Sequence, residues 1–358
     1  MKKFNSFLKS AALGGALCLT ASPLYAGNED RVGSAGATQL LVNPWARSLA
    51  AGSSGVAYTT GLEAQFMNIA GLAFTDRTQL KFNHTNWLGN AGINFYAAGL
   101  AQRISDQSVI AVSIQSMNFG EIQRTFVNNP EGDGSTFSPT YNIFNIGYAR
   151  EFSNRIYGGI NFKVNSEGID NLRATGLAMD AGIRYVTGER EHIKFGITLK
   201  NIGPVMQYRG DGLAYEVSFA QSGSSEPFTL EQRTASFEMP SSLAIGGAYD
   251  FFIGENQKLT AAVAFLANSF SYDNYSAGLD YAFTNDKNFQ FNLRAGYIYE
   301  QGLWSSSLRR TALTGFTSGF SVDGLVGPNK SPIGFEYAVR LSSPFGPIHT
   351  LGVTISLK

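Results

Sequence analysis

The sequence predicts an all-β fold, a transmembrane antiparallel β-barrel of about 14 strands. Three observations support this prediction. Apolar residues alternate with polar or small residues along many runs, and turn-forming residues separate these runs. No segment after the N-terminus stays apolar over the roughly 18 residues that a membrane-spanning helix needs.

The composition agrees with a barrel that faces lipid. Charged residues make up only 15% of the chain, against about 25% in an average soluble domain. Apolar character that is spread over every second position is typical of a barrel wall. A soluble β-sandwich is the alternative, but it would not need such long strands with small and charged residues on its inner face.

The run after Asn285 shows the alternation most clearly. Its apolar members are Phe289, Phe291, Leu293, Ala295, Tyr297 and Tyr299, and polar or small residues stand between them. A period of two places all the apolar members on one face of a strand.

Runs of this kind predict fourteen strands, an even number that suits a single-chain barrel with both ends on one side. They lie near 77–89, 91–104, 107–119, 140–152, 154–167, 174–187, 191–202, 240–252, 257–270, 273–284, 289–300, 313–325, 331–342 and 347–357.

The first residues have the pattern of a cleaved signal peptide. Lys2, Lys3 and Lys9 precede a short apolar stretch, and cleavage is expected near Ala26. Cys18, the only cysteine, would be removed with this segment, so thiolate metal sites and cysteine nucleophiles are excluded from the mature chain. We therefore divide the chain into a signal peptide (1–26), an N-terminal hatch (27–76) and the barrel (77–358).

The hatch prediction rests on the stretch from Gly33 to Ala73. It is rich in small residues and turns and lacks a period-two run long enough to join the wall. A compact segment of this composition most simply folds inside the lumen as a plug; a tail on the periplasmic side is the alternative.

Charge and motifs argue against several function classes. The 27 basic residues equal the 27 acidic ones, so nucleic acid is not an expected partner. The three histidines stand far apart, no nucleotide-binding or nucleophile motif has its required context, and we expect neither an enzyme nor a bound metal or cofactor.

Ten charged residues are predicted to face the lumen, because charges at the lipid face carry a large cost. One interpretation is that they line a substrate path. The other, which we favour, is that they pair with each other and with hatch carbonyls. The set is Arg155, Lys163, Asp180, Arg184, Lys194, Lys200, Asp280, Arg294, Glu336 and Arg340.

Two polar stretches, 121–139 and 202–239, are too long for tight turns and are predicted to be extracellular loops. If they bind a partner, their aromatic residues are the expected anchors, since interface energy concentrates in a few such side chains. The candidates are Phe126, Tyr208, Tyr215, Phe219 and Phe228.

The stretch LLVNPWARSLAAGSSGVAYTTGLEAQFMNIAGLA (40–73) resembles the N-terminal signature of the PorV/PorQ family, a branch of the FadL-like barrels. Ala46 and Arg47 precede a glycine-rich turn, and Asn68 begins the closing motif, with Ile69 where the family usually has proline. MNFGEI (117–122) is similar to the end of the third strand in PorV-type members. The residues that carry the hatch motif are Pro44, Arg47, Gly52, Gly55, Asn68 and Gly71.

This resemblance implies a fourteen-stranded, FadL-like barrel with a hatch, located in the outer membrane and in contact with membrane lipid. It further implies a component of the type IX secretion system. Such a component binds secreted cargo proteins by their C-terminal domain and passes them from the translocon to an attachment complex at the cell surface. The FadL relationship leaves a second possibility, a transporter of hydrophobic small molecules, which predicts an apolar pocket between hatch and wall.

Overall fold

The computed structural model describes residue 27 and residues 29–217, 228–285, 289–303, 312–326, 331–342 and 345–357. The predicted signal peptide and Phe219 lie outside these residues. The boundaries 1–26, 27–76 and 77–358 therefore remain predictions.

Within the described residues the strands, numbered in chain order, are β1 (Thr78–Trp87), β2 (Ile93–Ser105), β3 (Ser108–Asn118), β4 (Ile122–Gln123), β5 (Thr136–Phe137), β6 (Thr140–Ser153), β7 (Ile156–Ile169), β8 (Leu172–Thr187), β9 (Ile193–Ile202), β10 (Ala214–Val217), β11 (Phe228–Glu231), β12 (Ser242–Phe252), β13 (Gln257–Asn268), β14 (Asn274–Asn285), β15 (Phe289–Glu300), β16 (Gly315–Val326), β17 (Ser331–Ser342) and β18 (Gly346–Leu357).

The described residues also contain two α-helices and seven 3₁₀ turns. The helices are α1 (Ala46–Ala50) and α2 (Ala64–Met67). The turns span Glu29–Arg31, Thr38–Leu41, Gly55–Ala57, Gly61–Glu63, Ile69–Phe74, Gly89–Ala91 and Asp211–Leu213. Among the residues that the structure describes, no helix is both long and apolar enough to cross a membrane.

Fourteen of the described strands form one closed antiparallel barrel. Each pairs with its sequence neighbour in the wall, and β1 closes the ring against β18, in a register that runs from Thr78 opposite Leu357 to Asn86 opposite His349. A closed barrel leaves no unpaired strand edge in the membrane, where an unsatisfied backbone group is costly. The predicted fold class and strand number are confirmed.

The predicted strand bounds agree with the structure to within two residues at every end. The long polar stretches differ from the expectation, because each contains a short hairpin: β4 pairs with β5, and β10 pairs with β11. Arg155 is a correction, since it lies exposed in the turn between β6 and β7 and not on the inner face of the wall.

The two ends of the barrel differ in their connections. At the short-turn end, which holds the start of β1 and the end of β18, neighbouring strands are joined by connections such as 106–107 and 154–155. At the long-loop end lie the connections 119–139 and 203–241, which we call the long-loop rim.

The faces of the wall follow the period of two. On β17, Phe335 is 45% exposed whereas its neighbour Glu336 is fully buried. Apolar side chains therefore point outward, where lipid would cover them, and polar side chains point into the lumen.

Glycines on the inner face make room for the hatch. A Cβ atom on Gly296 would lie 2.3 Å from the backbone nitrogen of Gly52, and one on Gly278 would lie 2.3 Å from the carbonyl oxygen of Ala51. The wall and the hatch backbone are thus in direct contact. Trp45, Leu62 and Leu72 of the hatch are completely buried in this interior.

The outward face of β9 gives a test of the barrel's position in the bilayer. Ile197 lies at the middle of the strand and is 52% exposed, whereas Ile202 lies at its end. We expect Ile197→Lys to lower the free energy of unfolding by about 2–4 kcal/mol, and Ile202→Lys by only about 0–1 kcal/mol, because the cost of a cation falls away from the bilayer midplane. Urea unfolding in lipid vesicles measures the stability of both variants. An equal loss of stability in the two would contradict the placement of Ile197 near the bilayer midplane and Ile202 near its edge.

Candidate functional site

The hatch is fastened to the wall by a group of five charged side chains, which we call the hatch latch: Arg47, Glu63, Lys81, Asp323 and Glu336. Arg47 lies on α1, and its guanidinium reaches two wall strands at once. Its Nε donates to Glu336 Oε1 at 2.6 Å, and its Nη2 donates to Asp323 Oδ1 at 2.6 Å. The Ala46–Arg47 pair of the sequence motif is therefore an anchoring point of the hatch.

Lys81 of β1 completes the latch from the other side. Its ammonium group donates to Glu63 of the hatch and lies 2.7 Å from Glu336 Oε2. The second oxygen of Glu63 accepts a hydrogen bond of 2.8 Å from the backbone N–H of Ser48. Lys81, Glu63 and Glu336 are all nearly fully buried. Buried charges of this kind are stable only when paired and hydrogen-bonded.

Asn68 fastens the other end of the hatch. Its Nδ2 donates to the carbonyl oxygens of Val56 at 3.0 Å and Ile183 at 3.1 Å. Its Oδ1 accepts from the backbone N–H of Ala70 at 3.1 Å and so caps the 3₁₀ turn that follows. One side chain thus joins two parts of the hatch to β8.

The remaining motif residues allow close approach inside the hatch. Gly52 has a φ of +66°, which favours glycine. A Cβ on Gly71 would lie 2.1 Å from the carbonyl oxygen of Thr59, and one on Gly55 would lie 2.0 Å from its hydroxyl. Pro44 is buried just before α1.

Most of the charges predicted to face the lumen are paired, as the favoured interpretation expected. Lys163 lies 2.7 Å from Asp180, and Arg294 donates to Asp280 at 2.8 Å. Arg184 donates to the carbonyl oxygen of Thr59 in the hatch at 3.1 Å. Of the other predicted lumen charges, Lys194 pairs with Asp250, and Glu336 makes the latch contacts with Arg47 and Lys81.

Two of the predicted lumen charges behave differently. The ammonium group of Lys200 lies 3.9 Å from the ring centre of Phe66 and forms no ion pair within the described residues. Arg340 is only 2% exposed, and its Nε and Nη1 have no hydrogen-bond partner there. Both line a cavity between hatch and wall.

The long-loop rim carries most of the predicted partner-binding aromatics. Tyr215 on β10 and Phe228 on β11 are each about half exposed, and Phe126 is 45% exposed at a bridge with Asn129. Tyr208 differs, because its hydroxyl donates to Glu167 at 2.6 Å and its ring packs near Phe237. Burial, together with this hydrogen bond, raises the pKa of Tyr208.

An exposed ion pair ties the rim to a neighbouring turn. Arg124 donates to Asp170 through Nη1 at 2.8 Å and Nη2 at 2.6 Å. This hydrogen bonding holds the pKa of Asp170 below its usual value, so the pair is intact at neutral pH and is lost only in acid.

Two further cavities flank the hatch. At the short-turn end, a cavity of about 680 Å³ is lined by charges of both signs. At the long-loop end, a cavity of about 490 Å³, which we call the mouth cavity, is lined mainly by apolar groups. Among the described residues, no group of three histidine, cysteine or carboxylate side chains could hold a metal ion.

Sequence reasoning found Arg47 and Glu336 of the latch but missed Glu63, Lys81 and Asp323. The alternation along β1 contained a signal for Lys81, because Lys81, Asn83 and Thr85 share the buried face of that strand. The latch contacts join residues that are far apart in the sequence, and the alternation along a strand does not predict such contacts.

The latch gives a prediction for stability. We expect Glu336→Gln to lower the free energy of unfolding by about 3–5 kcal/mol, because it leaves two cations facing a buried amide. Asp170→Asn, which breaks the exposed pair with Arg124, is the matched control and should change stability little. Urea unfolding in lipid vesicles, followed by tryptophan fluorescence, measures both variants. A similar loss of stability in the two would show that the latch stabilises the protein no more than an exposed ion pair does.

The comparisons with known proteins agree with this architecture. The family model described as "Type IX secretion system protein PorV" matches residues 25–228. No curated protein matches the chain.

Solved structures are similar in fold. The Pseudomonas putida toluene transporter TodX has a TM-score of 0.54 at 12% identity, with 88% of this chain and 97% of that chain covered. The Ralstonia pickettii toluene transporter TbuX has a TM-score of 0.54 at 12% identity, with 87% and 97% covered. A Pseudomonas aeruginosa FadL homologue has a TM-score of 0.51 at 11% identity, with 88% and 98% covered.

Identities this low show a shared fold alone, whereas the family model covers more than half of the chain. This chain belongs to the PorV family of type IX secretion system proteins and has the fourteen-stranded fold of the FadL-like outer-membrane barrels.

Proposed function

We propose that this protein is an outer-membrane receptor of the type IX secretion system. It binds secreted cargo proteins by their C-terminal domain at the long-loop rim and passes them from the translocon to an attachment complex at the cell surface. Residues 1–26 act as a signal peptide that directs export and is then cleaved, and the rim faces the cell exterior.

The family match over residues 25–228 carries this proposal. The hatch supports it, because it occupies the lumen, packs against the inward glycines and is fastened through Arg47 and Lys81. A barrel with an occupied lumen can still hold cargo at one end.

The rim has a surface suited to a protein partner. β10 and β11 form a separate two-stranded sheet, so their outer edges can accept a strand from another chain. Tyr215, Phe228 and Leu230 are exposed on this hairpin, and Val127 on the neighbouring loop is 98% exposed. Aromatic and apolar groups of this kind are typical anchors of protein interfaces.

The rim can be tested with the substitutions Phe126→Ser, Tyr215→Ser and Phe228→Ser combined in one variant. We expect at least a ten-fold loss of co-purified cargo, since each exposed anchor contributes on the order of 1–2 kcal/mol at an interface. Mass spectrometry of proteins recovered with the tagged barrel measures this.

Ile253→Ser is the matched control, because Ile253 is 50% exposed but lies at the short-turn end. Equal cargo recovery from both variants would overturn the assignment of the rim as the binding surface. Heat-modifiable migration in gels confirms that each variant still forms the barrel.

One observation favours a second candidate, a transporter of hydrophobic small molecules. The mouth cavity is the apolar space beside the hatch that such a transporter needs. Movement of the hatch would then open a path through the barrel or its wall.

Proteoliposomes separate the two candidates. We expect uptake of radiolabelled fatty acid to equal that of empty liposomes, because the latch and Asn68 hold the hatch against β1, β8, β16 and β17. Uptake that depends on the protein, and rises in Glu336→Gln, would favour the transporter.

A further inference from the structure

A small inner cavity of about 110 Å³ lies between the hatch and the long-loop half of the wall. Phe66 and Met67 of α2 form its hatch side, and Lys200 and Arg340 stand on its wall side. It shares Leu41 with the mouth cavity, so the two cavities adjoin.

The inner cavity has an excess of positive charge. Lys200 and Arg340 line it against one carboxylate, that of Glu300. Arg340 is 2% exposed, and its Nε and Nη1 have no acceptor among the described residues. A buried guanidinium with unsatisfied donors is costly, and an anionic ligand would supply the missing acceptor.

The mouth cavity adds an apolar compartment on the outer side. Its lining includes Trp87, Phe119, Phe270 and Phe345, and several of these lie on connections at the long-loop end. A ligand that enters from this end meets apolar groups first and the two cations last. Its anionic group must therefore be at its leading end.

From these observations we propose that the two cavities bind the C-terminal end of a polypeptide, with its α-carboxylate against Arg340 and Lys200 and its last apolar side chains in the mouth cavity. This inference rests on the proposed function, in which cargo is held by its C-terminal domain at the same end of the barrel.

The polar lining of the inner cavity favours a peptide over an alkyl chain. Ser242, Asn268, Asn274 and Ser276 line the same cavity as the two cations. Asn268 and Ser276 already donate to backbone carbonyls, but Oδ1 of Asn274 has no partner among the described residues. A backbone amide beside a terminal carboxylate can donate to this oxygen, whereas a methylene group cannot. The inner cavity of about 110 Å³ has room for only a few groups the size of a water molecule, which fills roughly 30 Å³. It therefore fits a short polar end of a ligand.

The cavity ends at the hatch. Phe66 and Met67, on the hatch side of the inner cavity, belong to the segment that the latch and Asn68 fasten. A ligand that reaches the inner cavity is therefore stopped there and is held instead of carried through. This is the behaviour of a receptor pocket.

The test uses the full-length protein in lipid nanodiscs and a fluorescein-labelled decapeptide of glycine and serine that ends in valine, phenylalanine and leucine. Fluorescence anisotropy compares the peptide with a free C-terminus and the same peptide with a C-terminal amide. We expect the free acid to bind at least about ten-fold more tightly, since it gains charge-assisted hydrogen bonds that the amide lacks.

Arg340→Gln should remove this preference, and Arg340→Lys should restore part of it. Lys200→Gln is the second variant and should reduce the preference independently. Neither variant of Arg340 should impair folding, because the guanidinium gives up no hydrogen bond from Nε or Nη1. Arg150→Gln, at an exposed arginine near the short-turn end, is the matched control and should bind as the unchanged protein does.

Dodecanoate serves as the competing ligand. If it binds through Arg340 while the peptide acid does not, the cavity is a fatty-acid site and the proposal is wrong. Equal binding of peptide acid and amide, or no binding of either, also overturns it.

The cargo experiment keeps this inference separate from the proposed function. Loss of cargo in the rim variant, combined with no effect of Arg340→Gln on peptide binding, would leave the receptor function standing and remove the carboxylate pocket. An Arg340-dependent preference, combined with full cargo recovery by the rim variant, would leave the carboxylate pocket standing and remove the rim as the cargo-binding surface.

Discussion

The pairing of buried charges between hatch and wall is the constraint on which the rest of this structure depends. The outer face of the wall is apolar, so the polar side chains of every strand are directed into the lumen and must find partners there. Glu336 meets Arg47 and Lys81, and Arg47 is 289 positions away in the sequence. The hatch supplies Arg47 to Glu336 and Glu63 to Lys81, so the wall and the hatch form one structural unit at the latch.

The sequence predicted the wall well because alternation is a local signal. The strand 289–300 was predicted with the bounds that the structure has, since its alternation is regular and turn residues precede it. The hairpins β4–β5 and β10–β11 were missed because strands of two to four residues carry no measurable period. The predicted lumen position of Arg155 was wrong because the alternation along β7 does not extend into the turn that precedes this strand. The latch was found only in part, because its contacts join Arg47 to strands near the other end of the chain.

The lumen contains two kinds of charged site, and the contrast between them is informative. At the latch, each cation has a carboxylate within hydrogen-bonding distance. Around the inner cavity, Lys200 contacts a ring and Arg340 keeps unsatisfied donors within the described residues. If every lumen charge served only to pack the hatch, both places would be expected to show pairing. The proposed ligand would supply the acceptor that Arg340 lacks within the described residues.

A barrel wall of this fold is compatible with transport of a ligand or with binding of a ligand at one end. The attachment of the hatch to the wall bears on which of the two is favoured. The solved barrels of similar fold include toluene transporters, so the fold alone does not distinguish the two roles. In this chain the hatch backbone contacts inward glycines of β14 and β15, and its side chains bond to β1, β8, β16 and β17. Displacing the hatch would break several buried ion pairs at once and expose their charges to a lumen without replacements. This attachment of the hatch supports the proposal that the barrel holds a ligand at the long-loop end.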